Sequence, residues 1–293
     1  VLQRLVELEL AQLPQRDLQR REVEVVGGVD PVGALTLLGA GLEPAVHHVV
    51  ELVAADADVG VDLRAGRLAG AGQRAVGRAQ AQRVREILPE DLLGRPPVVL
   101  DESGVAATLA GKAVMITGAG GSIGAELCRQ VARFGPARLV LFEASEFNLY
   151  SVEQELGEAF PALELVRLLG DVKDAARLAE VFAAWRPAVV FHAAAYKHVP
   201  LVERDNAWTA LQNNFVGTWQ VGLAAARAGA GRFVLISTDK AVNPANVMGA
   251  TKRAAEMVVS DLAAAHPATR FMAVRFGNVL GSSGSVIPKF KEQ

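Results

Sequence analysis

The stretch Thr117-Gly118-Ala119-Gly120-Gly121-Ser122-Ile123-Gly124 decides the fold, because it joins a strand pattern to an amphipathic helix pattern. Glycine lacks the Cβ atom that would block a tight turn, so the backbone here can approach a pyrophosphate closely. The free N–H groups at the start of the next helix can then bind its negative charge. The alternative is a glycine-rich strand–helix turn without a ligand. We predict a dinucleotide-binding turn with cofactor contacts at Gly118, Gly121, Ser122, Ile123 and Gly124.

An acidic residue strengthens this prediction. Glu143 ends the second predicted strand, 19 residues beyond Gly124 (143 minus 124), where a carboxylate can accept from ribose hydroxyls. It would repel a 2′-phosphate, so we expect NAD or NADP as cofactor, with NAD preferred. Asp171 follows the third strand and is predicted to lie near the adenine amino group. Its alternative role is to cap the helix that begins near Asp174.

Apolar runs and amphipathic stretches alternate after Gly111, which predicts an α/β fold with a doubly wound parallel sheet of the Rossmann kind. The predicted strands are residues 113–117, 138–142, 163–168, 188–192, 233–237 and 270–275. The first helix is predicted over residues 122–134, with Ile123, Leu127, Val131 and Phe134 on one face. Cys128 lies beside that face, so we interpret it as a small buried hydrophobe rather than a reactive thiol.

Bulk composition limits the class of protein. The chain has 293 residues, 51% of them hydrophobic, which suffices for one large α/β domain or two ordinary ones. A net charge of -2 and a pI near 6.3 provide no basic field, so nucleic acid is not an expected partner. A single cysteine allows neither an internal disulfide nor a cysteine pair for zinc. We therefore expect a cytoplasmic protein without a metal, and find no signal-peptide or membrane-spanning pattern.

The composition changes near residue 86. Residues 1–86 contain no Lys, Ser, Asn, Ile, Met, Phe, Tyr, Trp or Cys, which are largely residues with AT-rich codons. One hypothesis is a GC-rich gene read in the wrong frame, and the alternative is a genuine alanine-rich helical extension. We divide the chain into an atypical, non-native or poorly ordered segment over 1–86, a lead-in linker over 87–111 that packs on the domain, and an NAD(P)-binding domain over 112–293.

Five motifs lie within residues 87–293. They are 117–124 (TGAGGSIG), 143–150 (EASEFNLY), 192–200 (HAAAYKHVP), 237–244 (STDKAVNP) and 275–282 (RFGNVLGS). Together they resemble the polysaccharide-biosynthesis dehydratases, the nucleotide-sugar 4,6-dehydratases of the capsule and flagellin-glycosylation type within the extended short-chain dehydrogenase/reductase family. The resemblance implies a redox-neutral reaction on a UDP-N-acetylhexosamine. NAD(P)+ would take the C4 hydride and return it to C6 after water is lost across C5 and C6, giving a 4-keto-6-deoxy sugar.

The resemblance also implies catalytic roles. Lys240 would be the base at C5 and Asp239 the acid for the departing C6 hydroxyl, whereas the alternative is a cap-and-surface-charge pair in a loop. The usual Tyr-x-x-x-Lys spacing selects Met248 and Lys252, and a thioether cannot exchange a proton. The same replacement occurs in the long, membrane-anchored branch of the family. Our hypothesis is that Asp239, or a water held by Thr238, takes the C4 proton while Lys252 binds the nicotinamide ribose.

The resemblance and the position of Lys197 and His198 after the fourth strand give the remaining assignments. Contacts to cofactor are expected at Ala193, Lys197 and Asn214, and contacts to the sugar nucleotide at Lys197, His198 and Asn278. His198 could instead bond to loop backbone. A UDP-sugar and a homo-oligomeric partner are expected, with the membrane reached only through segments that this chain lacks, at the cytoplasmic face of the inner membrane. Relatives continue past residue 293, so we expect a truncated substrate lobe.

The rival functions are a nucleotide-sugar epimerase, which needs no Asp–Lys elimination pair, and an inactive dinucleotide-binding module.

Overall fold

The computed structural model describes residues 36–37 and 102–277, and their strands form one parallel sheet. The strands are β1 (Thr36–Leu37), β2 (Ala113–Thr117), β3 (Arg138–Glu143), β4 (Glu164–Leu169), β5 (Val189–His192), β6 (Arg232–Thr238) and β7 (Arg270–Phe276). Their order across the sheet is β1-β7-β6-β5-β2-β3-β4. The chain runs outward from β2 to β4, then returns to β5 on the other side of β2. This reversal is the switch point at which ligands bind in doubly wound sheets.

Helices connect these strands. They are α1 (Glu102–Leu109), α2 (Ser122–Arg133), α3 (Glu146–Ala159), α4 (Ala175–Trp185), α5 (Val199–Val202), α6 (Ala207–Leu211), α7 (Gly217–Arg227) and α8 (Val247–Ala265). A wide π-helical turn at Gln212–Val216 joins α6 to α7, and the Gly217 N–H bonds to the Gln212 carbonyl across five residues. A 3₁₀ turn at Asp239–Ala241 follows β6.

Both faces of the sheet are buried, as is usual for parallel strands flanked by helices. In β2, Val114 and Ile116 pack into a core cluster with residues of α2, whereas Met115 between them packs with residues of α4 and α7. All three side chains are fully buried. This alternation fixes the register of β2, because a slip by one residue would exchange the side chains on its two faces.

The predicted fold is confirmed, and the strand bounds differ from the prediction by at most one residue at each end. Leu127 and Val131 of α2 are fully buried, and Ile123 and Phe134 pack beside them, as predicted. Cys128 is also fully buried. Burial raises the pKa of its thiol well above the ordinary value, which confirms its interpretation as a core residue.

The predicted lead-in linker contains a helix that the sequence analysis missed. Residues 102–109 form α1, and its Val105 and Leu109 are fully buried in the core cluster beneath α2. These residues therefore belong to the folded domain. Of the atypical segment 1–86, the structure describes the two residues of β1, which pair with β7. Residues 87–101 lie outside the described residues.

Candidate cofactor and substrate site

The glycine turn between β2 and α2 is packed too tightly to admit side chains. Gly118 has a φ of +66°, and a Cβ there would lie 2.7 Å from the Cα of Ala194. A Cβ on Gly124 would lie 1.9 Å from the carbonyl oxygen of Gly118. A Cβ on Gly120 would lie 2.4 Å from the Asn148 side chain. The turn, the start of α2 and the segment after β5 are therefore in direct backbone contact, which sets the shape of a narrow crevice.

Glu143 ends β3 and is tied to this turn. Its carboxylate accepts hydrogen bonds from the backbone N–H groups of Gly120, Ala144 and Ser145, each at 3.0 Å. The residue is 8% exposed, at the wall of a cavity beside the turn. A carboxylate offers about four acceptor positions, so these three bonds leave capacity for about one ribose hydroxyl.

Two adjoining cavities form the crevice at the carboxyl edge of the sheet. The larger has a volume of about 480 Å³ and the smaller about 190 Å³. Both are lined by Gly121, Ala193, Ala195 and Tyr196. The structure thus brings together most of the predicted contacts: the larger cavity adds Ser122, Ile123, Gly124, Lys197 and His198, and the smaller adds Gly118, Glu143 and Asp171.

Asp171 lines the smaller cavity but does not cap α4. Its carboxylate accepts from the backbone N–H of Lys173 at 2.9 Å and from the Lys173 ammonium at 2.7 Å. Partial burial would raise the pKa of Asp171, but these bonds hold it below its ordinary value. The cap is Asp174, whose side chain accepts from the Arg177 N–H. The capping alternative for Asp171 is therefore wrong, and its contact with adenine stays a prediction.

Asn214 is a clamp within the protein. Its amide oxygen accepts from the Tyr196 N–H at 2.8 Å, and its amide nitrogen donates to the Tyr196 carbonyl at 3.0 Å. The nitrogen also donates to the Thr251 hydroxyl at 3.0 Å, and the side chain is fully buried. This placement favours a positioning role through Tyr196 over the direct cofactor contact that the sequence predicted.

His192 lies at the end of β5 and joins three elements. Its Nδ1 lies 2.6 Å from the Thr117 hydroxyl, and its Nε2 lies 3.1 Å from the Thr218 hydroxyl. The Thr218 hydroxyl in turn donates to the Asn214 carbonyl at 2.6 Å. His192 is fully buried, and burial together with the nearby Lys252 charge lowers its pKa to about 3. His192 belongs to the motif at 192–200 and had no predicted role, although its place at the carboxyl end of a strand was a usable signal.

The predicted elimination pair follows β6 at the same edge. Asp239 accepts from the Thr238 hydroxyl at 2.9 Å and from the Lys240 ammonium at 3.2 Å. Both charged side chains are about one third exposed. Because all strands are parallel, the carboxyl ends of β2 and β6 point the same way. The pair and the glycine turn thus share one edge of the sheet.

Lys252 and Met248 lie on α8 with different surroundings. The Lys252 ammonium is buried and donates to the Ile236 carbonyl at 2.6 Å. Burial lowers its pKa to about 8, although Glu256 acts in the opposite direction. Met248 is 4% exposed and packs in an apolar cluster with Val202 and Ala210. The thioether therefore fills a gap between α8, α5 and α6.

A buried hydrogen-bonded cluster around Glu256 was not predicted from the sequence. This carboxylate accepts from the Ser237 hydroxyl at 2.6 Å, from Arg275 Nε at 2.7 Å and from Arg253 at 3.1 Å. Burial would raise its pKa, but these bonds hold it below the ordinary value. The cluster ties α8 to the ends of β6 and β7. Asn278, the predicted sugar or diphosphate contact, lies outside the described residues.

Two further properties apply to the described residues alone. Within residues 102–277, no helix combines the length and apolarity needed to cross a bilayer. Nor does this part of the chain gather three or more histidine, cysteine or carboxylate side chains that could hold a metal ion.

The parallel sheet, the glycine turn and the crevice at the switch point define a Rossmann-like domain of the extended short-chain dehydrogenase/reductase type. Residues 114–293 match the family model described as polysaccharide biosynthesis protein, and the chain belongs to this family.

The chain is similar to two curated proteins and to one solved structure. The capsular polysaccharide biosynthesis protein CapD of Staphylococcus aureus is 49% identical over 218 residues, which cover 74% of this chain and 36% of that protein. A UDP-N-acetylglucosamine 4,6-dehydratase (inverting) of Campylobacter jejuni is 36% identical over 185 residues, covering 62% of this chain and 53% of that protein. The X-ray structure of Pen from Bacillus thuringiensis is 33% identical with a TM-score of 0.59, covering 64% and 58% of the two chains. The chain thus spans about a third to a half of these two curated relatives.

Proposed function

We propose that this protein binds NAD, or less readily NADP, and removes water from a UDP-N-acetylhexosamine to give a 4-keto-6-deoxy sugar for a surface polysaccharide or glycan. The observation that carries the proposal is the bonded group Thr238, Asp239 and Lys240, which lies at the end of β6 on the sheet edge that carries the glycine turn. The dehydratase of Campylobacter jejuni and the family membership support the same reaction.

The residues of the crevice fit a dinucleotide. A Cβ at Gly118 or Gly124 would collide with backbone, so the turn is kept free of side chains where a pyrophosphate would approach. The buried carboxylate of Glu143 disfavours a 2′-phosphate, which is the reason for preferring NAD. Lys252 has three N–H donors, and the described residues accept from one of them, so the other two suit the hydroxyls of the nicotinamide ribose.

Bound nicotinamide would supply a hydride acceptor for C4 and a hydride donor for C6. The C4 hydroxyl must lose a proton at the same time, and Met248 cannot accept it. Asp239 accepts this proton in our proposal, because it is a carboxylate on the sheet edge that carries the glycine turn, with two hydrogen-bond donors already orienting it. Thr238 acts by holding that carboxylate in place.

The elimination then uses the proton that Asp239 has gained. Oxidation at C4 makes the C5 proton acidic, and Lys240 removes it once its own ammonium proton has passed to solvent. Asp239 gives its proton to the departing C6 hydroxyl, which leaves as water. Lys240 returns its proton to C5 when C6 receives the hydride. Lys240 then regains its ammonium proton from solvent, so the protons balance and the two residues end as carboxylate and ammonium.

Lys197 and His198 complete the proposed site. Both line the larger cavity next to the start of α2. Partial burial lowers the pKa of Lys197, yet the side chain remains exposed at the cavity and is suited to an anionic diphosphate. Asn278 remains our proposed contact to the sugar nucleotide.

The deciding experiment is NMR of the products formed from UDP-N-acetylglucosamine with NAD+. A 4-keto-6-deoxy product supports the proposal. A C4 epimer that keeps its C6 hydroxyl would identify an epimerase instead. Tight NAD+ binding without any product would identify a non-catalytic binding module, which the apolar packing of Met248 at the usual tyrosine position favours.

A further inference from the structure

We propose that His192 is a positioning residue, whose ring, in one fixed neutral tautomer, couples the glycine turn to the Tyr196 segment across the crevice. The inference rests on the proposed cofactor site, since these two segments form its walls. His192 itself lines neither cavity. It acts through the residues on either side of it.

Counting protons assigns the tautomer. The Thr218 hydroxyl has one hydrogen, which it donates to the Asn214 carbonyl at 2.6 Å. Its oxygen must therefore accept at the 3.1 Å contact with His192, so Nε2 carries the ring proton. Nδ1 is then the bare nitrogen, and the Thr117 hydroxyl donates to it at 2.6 Å. Every hydroxyl and ring position in this chain of bonds has a defined direction.

Each end of this chain of bonds controls one wall. Thr117 directly precedes Gly118, the left-handed residue that opens the glycine turn. At the other end, the Asn214 carbonyl belongs to the residue whose side-chain amide holds both the N–H and the carbonyl of Tyr196. Tyr196 lines both cavities. A shift of the ring would therefore change the spacing between the walls.

Burial makes this chain of hydrogen bonds sensitive to substitution. Thr117, His192 and Thr218 are each fully buried, so bulk water cannot replace a lost bond. A buried donor or acceptor left without a partner carries its full desolvation cost. Burial also lowers the pKa of His192, which keeps the ring neutral at physiological pH.

Three substitutions separate the two bonds. His192→Asn retains an acceptor near the Nδ1 position, His192→Gln retains a donor near the Nε2 position, and His192→Phe retains neither. We expect NAD+ affinity to fall about tenfold for each of the first two variants and about a hundredfold for the third. Leu139→Ala is the control, because this fully buried residue of β3 lies toward the strand's amino end. It should lower stability while leaving affinity within about twofold.

Two readouts do not require cofactor. In protein with ¹⁵N-labelled histidine, assigned by comparison with His192→Asn, the His192 signals should show a protonated Nε2 and a bare Nδ1. Hydrogen exchange should be faster in peptides covering residues 117–124 and 193–198 of His192→Phe, but not in those of Leu139→Ala. Thr117→Val offers a milder test should His192→Phe fail to fold, and it should speed exchange in the same peptides.

The outcomes separate this inference from the proposed function. A ring protonated on Nδ1 would overturn the positioning role. So would His192 variants whose NAD+ affinity and hydrogen exchange match those of Leu139→Ala. If the unsubstituted protein binds no NAD+, the proposed function fails, and the tautomer and the exchange pattern still decide the role of His192.

Discussion

The Gly120 N–H donates a 3.0 Å hydrogen bond to the carboxylate of Glu143, and so joins the glycine turn to the end of the neighbouring strand. The acidic residue that the dinucleotide pattern assigns to ribose recognition therefore also organises the loop that would receive the pyrophosphate. Its other two backbone bonds, from Ala144 and Ser145, hold the carboxylate at the entrance to α3. The Glu143 side chain thus links the expected affinity for NAD to the geometry of the glycine turn.

Glu143→Gln should weaken NAD+ binding and lower stability together. The amide has one acceptor oxygen and cannot accept all three N–H groups, so we expect the free energy of unfolding to fall by about 1–3 kcal/mol. Calorimetric titration should also show a smaller preference for NAD+ over NADP+, because the negative charge is lost. Glu146→Gln, at the neighbouring exposed position, is the control. Unchanged affinity and unfolding in Glu143→Gln would contradict this role.

Asp239 and Lys240 should fail at different steps. Asp239→Asn cannot accept the C4 proton, so single-turnover mixing with substrate should give no NADH absorbance. Lys240→Met should still permit C4 oxidation but not removal of the C5 proton, so NADH should accumulate without product. Asp261→Asn on α8 is the control and should turn over normally. A normal rate of NADH formation in Asp239→Asn would refute its assignment as the acceptor.

Met248→Leu should leave the rate and its pH dependence unchanged. The side chain packs against Val202 and Ala210, and a volume-conserving apolar exchange costs less than about 1.5 kcal/mol. Met248→Ala leaves a cavity and should lower the free energy of unfolding by about 2–5 kcal/mol. Steady-state kinetics and urea unfolding measure both effects. Loss of turnover in a stable Met248→Leu protein would reveal a chemical role for the thioether.

Acid should destabilise the fold through His192. The pKa of this ring is lowered to about 3 in the folded protein, against an ordinary value of 6.5. Between these values the unfolded chain binds the proton and the folded chain does not, so stability is lost as pH falls from 6.5 toward 3. Urea unfolding between pH 6.5 and 4.5 should show a steeper decline for the unsubstituted protein than for His192→Phe. Leu139→Ala should keep the steeper slope, and equal slopes in all three proteins would exclude the effect.

Local patterns predicted the fold well. The apolar run at 113–117 and the spacing of Leu127 and Val131 predicted β2 and α2, because burial of a strand and of one helix face leaves a periodic trace. Helix α1 escaped because its sequence is rich in small residues, with its anchors Val105 and Leu109 four residues apart. Two large apolar residues spaced four apart do not distinguish a helix from a loop in a segment of eight residues.

The polar contacts of the site were harder to predict. Thr117 and His192 are 75 residues apart in the chain, and Ser237 and Glu256 are 19 apart. Such pairs form only when the order of the strands and the rotation of each helix are known. The glycines and the Asp239–Lys240 pair could be selected from short local motifs, and Glu143 was selected by its spacing after the glycine turn. Asn214 was selected by the family resemblance, and its bonds to Tyr196 favour a positioning role over the predicted cofactor contact.

The wide turn at Gln212–Val216 sets the phase between α6 and α7. Its bond from the Gly217 N–H to the Gln212 carbonyl encloses one residue more than a regular helical turn does. Each residue of an α-helix turns the chain by about 100°, so a single-codon deletion here would rotate Asn214 away from Tyr196 while leaving an unbroken regular helix. The helical hydrogen bonds would become more regular, yet the two walls of the crevice would lose their connection. The wide turn is therefore required for the crevice, although its removal would leave a more regular helix.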